Sequence, residues 1–392
     1  SSLLSFVEEM RAMWKSEEGS TQRLIQLCAG YFAFYVVTGV SVKYFLGPVS
    51  KGYPGMTDMD YLVYSTIASS LLCISVVLIR GWFRVSSIQS RTLFGVTFPA
   101  ELVYIIPSGI CTAVVIPTTT LMYSLKGVSV MVAMVIMRGA VIAISRVVDA
   151  IQIRQGILDR KVYSEENWAV VFALSAVCVN VFSPAKPGEK PFYESIAALV
   201  ILSFYVAAYS FRIFIMNYYK NTRPKNAPYD NKGFFGTEQM SASLAMLVMG
   251  IVAYNATSWF GIHAEPLTAF GNAFTNPKPG WGLALFSGLA YGVVAFLSVF
   301  IFMFKGRSAT FAGLVNRLTS LVAGTTATLI SALVFGGSLP KLLDWISLSL
   351  ILVAVYFLTR AEKRRASELA AKRSAPVAEL VEAPVATAQP SA

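Results

Sequence analysis

Hydrophobic residues in this chain gather into long runs, at about 24–46, 60–80, 101–125, 127–147, 168–183, 193–217, 237–261, 281–304, 308–334 and 342–358. Most of them hold roughly 20 residues, enough as a helix to cross a hydrocarbon core of about 30 Å. Stretches such as Val132–Met137, Ser70–Leu78 and Leu348–Leu358 are apolar almost throughout. The polar alternation of barrel strands is missing from them, so helices are the spanning form. The pattern predicts an all-α membrane protein with ten transmembrane helices.

Outside the runs the pattern changes. Over residues 1–23, Leu3, Leu4, Phe6, Val7, Met10, Met13 and Trp14 recur at helical spacing between charges, which predicts an amphipathic helix lying on the membrane interface. From 359 to 392 a basic stretch gives way to Ala, Pro, Val and Glu without apolar periodicity. The expectation there is a basic anchor followed by a disordered cytoplasmic tail. The first run stands behind a charged, acid-rich segment, so a cleavable signal peptide is not expected.

Composition narrows the classes. Hydrophobic residues make up 55% of the 392 positions and charged residues 14%, against about a quarter charged in soluble domains. Soluble Rossmann, barrel and sandwich folds are excluded. One histidine, His263, and four scattered cysteines, Cys28, Cys73, Cys111 and Cys178, do not make a metal site or a disulfide framework. No metal and no cofactor is expected. The net charge of +11 comes without a nucleic-acid reader motif. It has instead a topological meaning: one set of alternate loops and termini holds 22 Lys and Arg, the other set 6. By the positive-inside rule both termini are cytoplasmic, with the cell (inner) membrane as the expected location.

A repeat is visible. Lys126-Gly127-Val128-Ser129, with Ala133 and Arg138 after it, returns as Lys305-Gly306-Arg307-Ser308 with Ala312 and Arg317. A weaker echo sets Ser41-x-Lys43-x-Phe45 against Ser210-x-Arg212-x-Phe214. Both place span n against span n + 5. The halves are then 24–183 and 193–358, and an odd number of spans in each inverts the second, an architecture typical of secondary transporters.

Four cations fall inside spans: Lys43, Arg138, Arg212 and Arg317. Arg138 and Arg317 each stand eleven residues past the repeat's glycine, about 16 Å into the membrane. They are therefore expected to converge near mid-depth from opposite sides. An intramembrane arginine costs at least about 2.5–3.5 kcal/mol and needs a cavity or a partner. Glu101, Asp149, Glu194, Glu238 and Asp344 all fall near predicted span ends, so an anionic substrate is the expected partner; helix carbonyls are the plainer alternative. Lys43 and Arg212 lie closer to span ends, where snorkelling also explains them. Gly313, Arg317, Ser320 and Gly324 share a face with Asn316 nearby, as a polar lining or a small-residue contact. Pro107-Ser108-Gly109 and Pro117-Thr118-Thr119-Thr120 suit a gate or a packed kink. Tyr31, Tyr35, Tyr44, Tyr205 and Tyr209 read as packing or an interfacial belt.

The stretch Val135-Ile136-Met137-Arg138-Gly139-Ala140-Val141-Ile142, followed by Trp168-Ala169-Val170-Val171, resembles nucleotide-sugar-transporter-like members of the drug/metabolite transporter superfamily. Ser308–Leu321 and Ser347–Leu358 resemble its closing pattern. The resemblance implies ten helices in two inverted halves. In its triose-phosphate translocator branch, a basic residue on helix four and a Lys-Arg pair on helix nine grip the substrate phosphate. Arg138 and Arg317 match the first and last of these, Asn316 stands in place of the lysine, and Lys43 falls on helix one, where that branch also has a lysine.

Together these features predict an exchanger or facilitator of a small organic anion, such as a phosphorylated metabolite or nucleotide sugar, with the bilayer as its other partner. The substrate-site candidates are Arg138, Arg317, Lys43, Arg212, Asn316 and Ser320. Export of neutral or zwitterionic metabolites is the alternative within transport, and a lipid-phosphate-binding scaffold or scramblase the alternative outside it. An enzyme is not expected, for want of an embedded acid or histidine and of a nucleotide-binding loop. For the same reason the cycle is expected to be exchange, without a coupled proton.

Overall fold

The computed structural model describes residues 20–374, apart from 88, 94, 126–127, 159–160, 183–190, 224–229, 303 and 305–308. The expected interfacial helix therefore lies almost wholly outside the described residues, as do Lys126-Gly127 and Lys305–Ser308 of the repeat and the tail beyond Ser374.

The described residues form eleven α-helices: α1 Thr21–Phe45, α2 Asp58–Arg80, α3 Leu102–Ser124, α4 Val130–Arg154, α5 Ser164–Val181, α6 Ile196–Thr222, α7 Asn231–Phe260, α8 Glu265–Thr275, α9 Trp281–Phe302, α10 Ala309–Phe335 and α11 Leu342–Ser374. Among the described residues nine of them are long and apolar enough to cross a membrane. The protein is thus an all-α, multi-pass membrane protein. The nine leave out short α8 and also α5, whose polar Ser-Glu-Glu-Asn opening precedes the fifth predicted run and lowers the helix's mean hydropathy. Large apolar side chains such as Ile79, Phe204, Leu244 and Leu333 face outward, as lipid contact requires.

Caps set several helix starts. Ser129 accepts from the Val132 amide and opens α4, Ser195 accepts from Ala198 and opens α6, and Asp230 accepts from Gly233 and opens α7. Thr57 and Asp60 form a reciprocal capping box on α2, satisfying amides that lipid could not. Two elements were not anticipated. The hairpin Ser90–Leu93 with Val96–Pro99 joins α2 to α3. Amphipathic α8 packs on α2 and α7, its Ala273 carbonyl accepting from the Tyr64 hydroxyl at 2.8 Å. The stretch 359–374, expected to begin an unstructured tail, continues α11 as helix to Ser374.

The principal helix contacts are α2 with α9, α3 with α7, α3 with α6, α1 with α9 and α10, α4 with α5, α6 and α10, and α5 with α11. Two crossings depend on glycine. A Cβ on Gly109 of α3 would stand 2.6 Å from the Glu238 carbonyl oxygen of α7, and one on Gly288 of α9 would stand 2.4 Å from the Ser65 carbonyl oxygen of α2. Only hydrogen fits at either point.

Candidate functional site

A central cavity of about 80 Å³ lies between α1, α3, α4, α6, α7 and α9. Two tyrosines one turn apart on α1, Tyr31 and Tyr35, face it, and so do Tyr205 and Tyr209 on α6. Each pair has the i, i+4 spacing that puts side chains on one helical face. From α3 come Thr112, Val115, Ile116 and Thr119, and from α9 Tyr291, Val294, Ala295 and Ser298. Every one of these α3 residues stands 179 positions before its α9 counterpart, the interval that also separates Arg138 from Arg317. The α1 and α6 tyrosines stand 174 apart. Of the seventeen lining residues only Met137, Arg138, Arg212, Gln239 and Val299 fall outside such pairs.

Arg138 is buried on this wall, nine residues into α4. Its Nη2 donates to the hydroxyls of Tyr35 at 3.2 Å and Tyr31 at 3.4 Å, and its guanidinium lies 5.9 Å from the Tyr35 ring. Both hydroxyls lead onward. Tyr35 shares a 2.7 Å hydrogen bond with Tyr123, whose hydroxyl also reaches the Met134 sulfur, and Tyr31 donates to Asn316 Oδ1 at 3.4 Å. The Arg138 Nε has no partner, and among the described residues no carboxylate pairs with the guanidinium. A buried cation is thus held by neutral hydroxyls alone.

Arg212 differs. It lies ten residues before the end of α6, about 15 Å from that terminus, because the helix continues to Thr222. Its Nε and Nη2 donate to Oε1 and Oε2 of Glu238, both at 2.9 Å. Ser108 and Thr112 of α3 donate to the same Oε1 at 2.6 and 3.2 Å. The expectation that no acid pairs with an intramembrane arginine is therefore corrected. With Asp230 as its cap, α7 begins at Asn231, before the seventh predicted run, and Glu238 sits two turns inside it.

The other predicted site residues lie off the cavity lining. Arg317 is buried, yet its Nη2 donates to Ser145 Oγ at 2.5 Å, and Asp149 one turn further along α4 acts on it electrostatically. Ser145 is seven residues beyond Arg138, about 10 Å along the helix, so the two arginines engage α4 at different depths. Asn316 stands behind the lining, joining Tyr31 to Ser298, with Nδ2 to Ser298 Oγ at 3.1 Å. Ser320 bonds back to the Arg317 carbonyl. Lys43 donates to the carbonyls of Tyr123 and Val128 at 2.7 and 2.8 Å, tying α1 to the α3–α4 connection. Tyr44 belongs to an aromatic cluster with Tyr53 and Phe335 at that end. The remaining four predicted tyrosines line the cavity, where packing or a belt had been the reading.

Sequence reasoning passed over Glu238, Gln239 and Tyr291. A signal existed: Ser108-Gly109 recurs as Ser287-Gly288 at the interval of 179. A larger cleft of about 570 Å³, lined by Glu165, Arg360, Lys363, Arg364 and Ser367, is open surface remote from these residues. Among the described residues no group of three or more His, Cys, Asp or Glu is placed to hold a metal.

No family model matches the chain, and no curated protein matches it. A solved structure described only as "Crystal structure of protein" aligns over 88% of this chain and 99% of its own, at 14% identity and a TM-score of 0.45, too distant a likeness to bear on function.

Proposed function

We propose that the protein is a secondary transporter that binds a small organic anion at Arg138 and exposes it to the two sides of the membrane in turn. Arg138 is the observation that carries this reading: a buried guanidinium with an unpartnered Nε, compensated by tyrosine hydroxyls only, on a cavity wall. Carboxylate and phosphate are the groups an arginine fork binds in two-point fashion.

The arrangement of the helices supports two inverted five-span halves. With α8 set aside, shifting each span by five turns α2–α9 into α7–α3, α1–α9 into α6–α3 and α1–α10 into α6–α4. It leaves α4–α10 and α5–α11 unchanged. The constant intervals bring residues at corresponding positions of the two halves into one cavity lining, as expected at the interface of inverted repeats, where transporters hold their substrate. This agrees with the resemblance of the Arg138 stretch to the drug/metabolite transporter superfamily. The charged groups depart from the symmetry, since Arg138 and Arg212 line the cavity without a paired counterpart there.

At about 80 Å³ the cavity is well below the several hundred Å³ of metabolite sites. The reading therefore requires the halves to part when substrate enters. A thermal-shift screen of the purified protein against phosphorylated sugars, nucleotide sugars, carboxylates and amino acids tests it, because stabilisation grows with ligand over its dissociation constant. An anion should stabilise the wild type, and Arg138→Gln should abolish the response; an undiminished response in that variant sinks the assignment. Glu238 behind Arg212 favours a second reading, a zwitterion whose ammonium meets that carboxylate. Amino acids outperforming carboxylates of equal size would select it.

A further inference from the structure

The Arg212–Glu238 pair adjoins the cavity in a particular order. The Arg212 side chain is 12% exposed and Glu238 fully covered, so an anion entering the cavity meets the guanidinium first. Both oxygens of Glu238 are engaged by that one guanidinium, and a bound anion would compete for the same donors. Resting on the anion site proposed above, we infer that Glu238 is a proton-carrying group: a doubly charged anion held by Arg138 and Arg212 displaces Glu238 from Arg212, and the freed carboxylate takes up one proton.

Charge counting sets the stoichiometry. The empty site holds Arg138 and Arg212 against Glu238, a net charge of +1. A singly charged anion brings this to zero with Glu238 ionised. A doubly charged anion overshoots to −1, and one proton on Glu238 restores neutrality, which a low-dielectric site strongly favours. The step balances as anion plus proton in: the ion pair between Arg212 and Glu238 opens, Arg212 pairs with the anion, and an O–H bond forms on Glu238.

Two observations equip Glu238 for both states. Ser108 and Thr112 now donate to its Oε1, and a hydroxyl both donates and accepts, so the same two groups can turn to receive the proton of a neutral acid. At the corresponding point of the other half, Ser287 hydrogen-bonds the hydroxyl of Tyr61 at 3.2 Å. The matched serine there already serves a neutral O–H partner. The other titratable groups around the pair are Cys111 of α3, Tyr209 of α6 and Tyr291 of α9. Among the described residues no charged group of α2 or α8 bonds to Glu238. Among the described residues it is the carboxylate paired with a cavity-lining arginine. In the empty carrier it also neutralises Arg212, which lowers the uncompensated charge of the empty site from +2 to the +1 of Arg138.

The test is calorimetric titration of the purified protein with methyl phosphate and with dimethyl phosphate between pH 7 and 9, in buffers of different ionisation enthalpy. Over that range methyl phosphate is a dianion, its second pKa being about 6, and dimethyl phosphate a monoanion. Wild type should take up about one proton per methyl phosphate bound and none with dimethyl phosphate. Its methyl phosphate affinity should fall by up to about tenfold per pH unit. Glu238→Gln should bind methyl phosphate more tightly, its competitor being gone, with no proton uptake and a flat pH profile. The double variant Arg212→Gln/Glu238→Gln, which leaves neither member of the pair without the other, should still bind dimethyl phosphate through Arg138, again without uptake. Methyl phosphate binding without proton uptake in wild type, or equal uptake in Glu238→Gln, overturns the inference while leaving the anion site standing. Binding of neither phosphate to folded wild type overturns the anion site and the proton step together.

Discussion

Arg138 and Arg212 line the same cavity, but their removal should cost very different amounts of stability. Replacing Arg138 by Gln deletes two long hydrogen bonds, at 3.2 and 3.4 Å, and a cation–π contact at 5.9 Å. With a charged donor these contribute together about 3 kcal/mol even at the lower end of their usual values. Against that, the change lifts the roughly 2.5–3.5 kcal/mol cost of an intramembrane arginine. The two nearly cancel. Arg212→Gln removes both donors to Glu238, leaving a fully covered carboxylate with two hydroxyls. Breaking a buried pair in this way costs about 3–5 kcal/mol, so the two variants should differ by about that amount. Equilibrium unfolding in mixed micelles measures the difference, with anion binding followed on the same samples. Arg138→Gln should be stable and unable to bind; Arg212→Gln should be destabilised. If Arg138→Gln loses as much stability as Arg212→Gln, Arg138 is a structural residue and the reasoning that makes it a substrate group fails.

Gly109→Ala and Gly288→Ala should each destabilise by about 1–3 kcal/mol through overpacking, since their Cβ atoms would lie 2.5 and 2.4 Å from neighbouring atoms; unchanged unfolding of either would contradict the close helix crossing. Lys43→Met should lose about 1.5–3 kcal/mol with its two carbonyl contacts yet leave anion affinity within about twofold, and a large affinity loss would return Lys43 to the binding site. Cysteines introduced at Lys51 and Lys278, in the loop set poor in Lys and Arg, should be labelled by an impermeant reagent from outside intact cells; labelling only after permeabilisation would reverse the proposed topology.

Hydropathy alone located the nine long apolar helices among the described residues, because a run of about 20 apolar residues has few ways to satisfy its backbone other than as a helix in lipid. It also picked out Arg138, whose charge in mid-span needs a partner or a cavity wherever the neighbours lie. The partners themselves were decided by tertiary structure. Glu238 looked like a terminal acid because α7 opens with the polar stretch Asn231–Gln239, which an apolar window discards, while the Asp230 cap makes that stretch helical. The depth argument for Arg317 was measured from Gly306 and took no account of side-chain direction; the fold sends its guanidinium to Ser145 rather than to the cavity lining. Two of the cavity pairs stayed hidden for a further reason. Thr112 and Tyr291, and Ile116 and Ala295, are unlike residues, and their kinship is one of position. Position across a cavity is a property of packed helices, set by crossings such as Gly109 on α7 and Gly288 on α2, where backbone meets backbone over distances that no local pattern of the chain encodes.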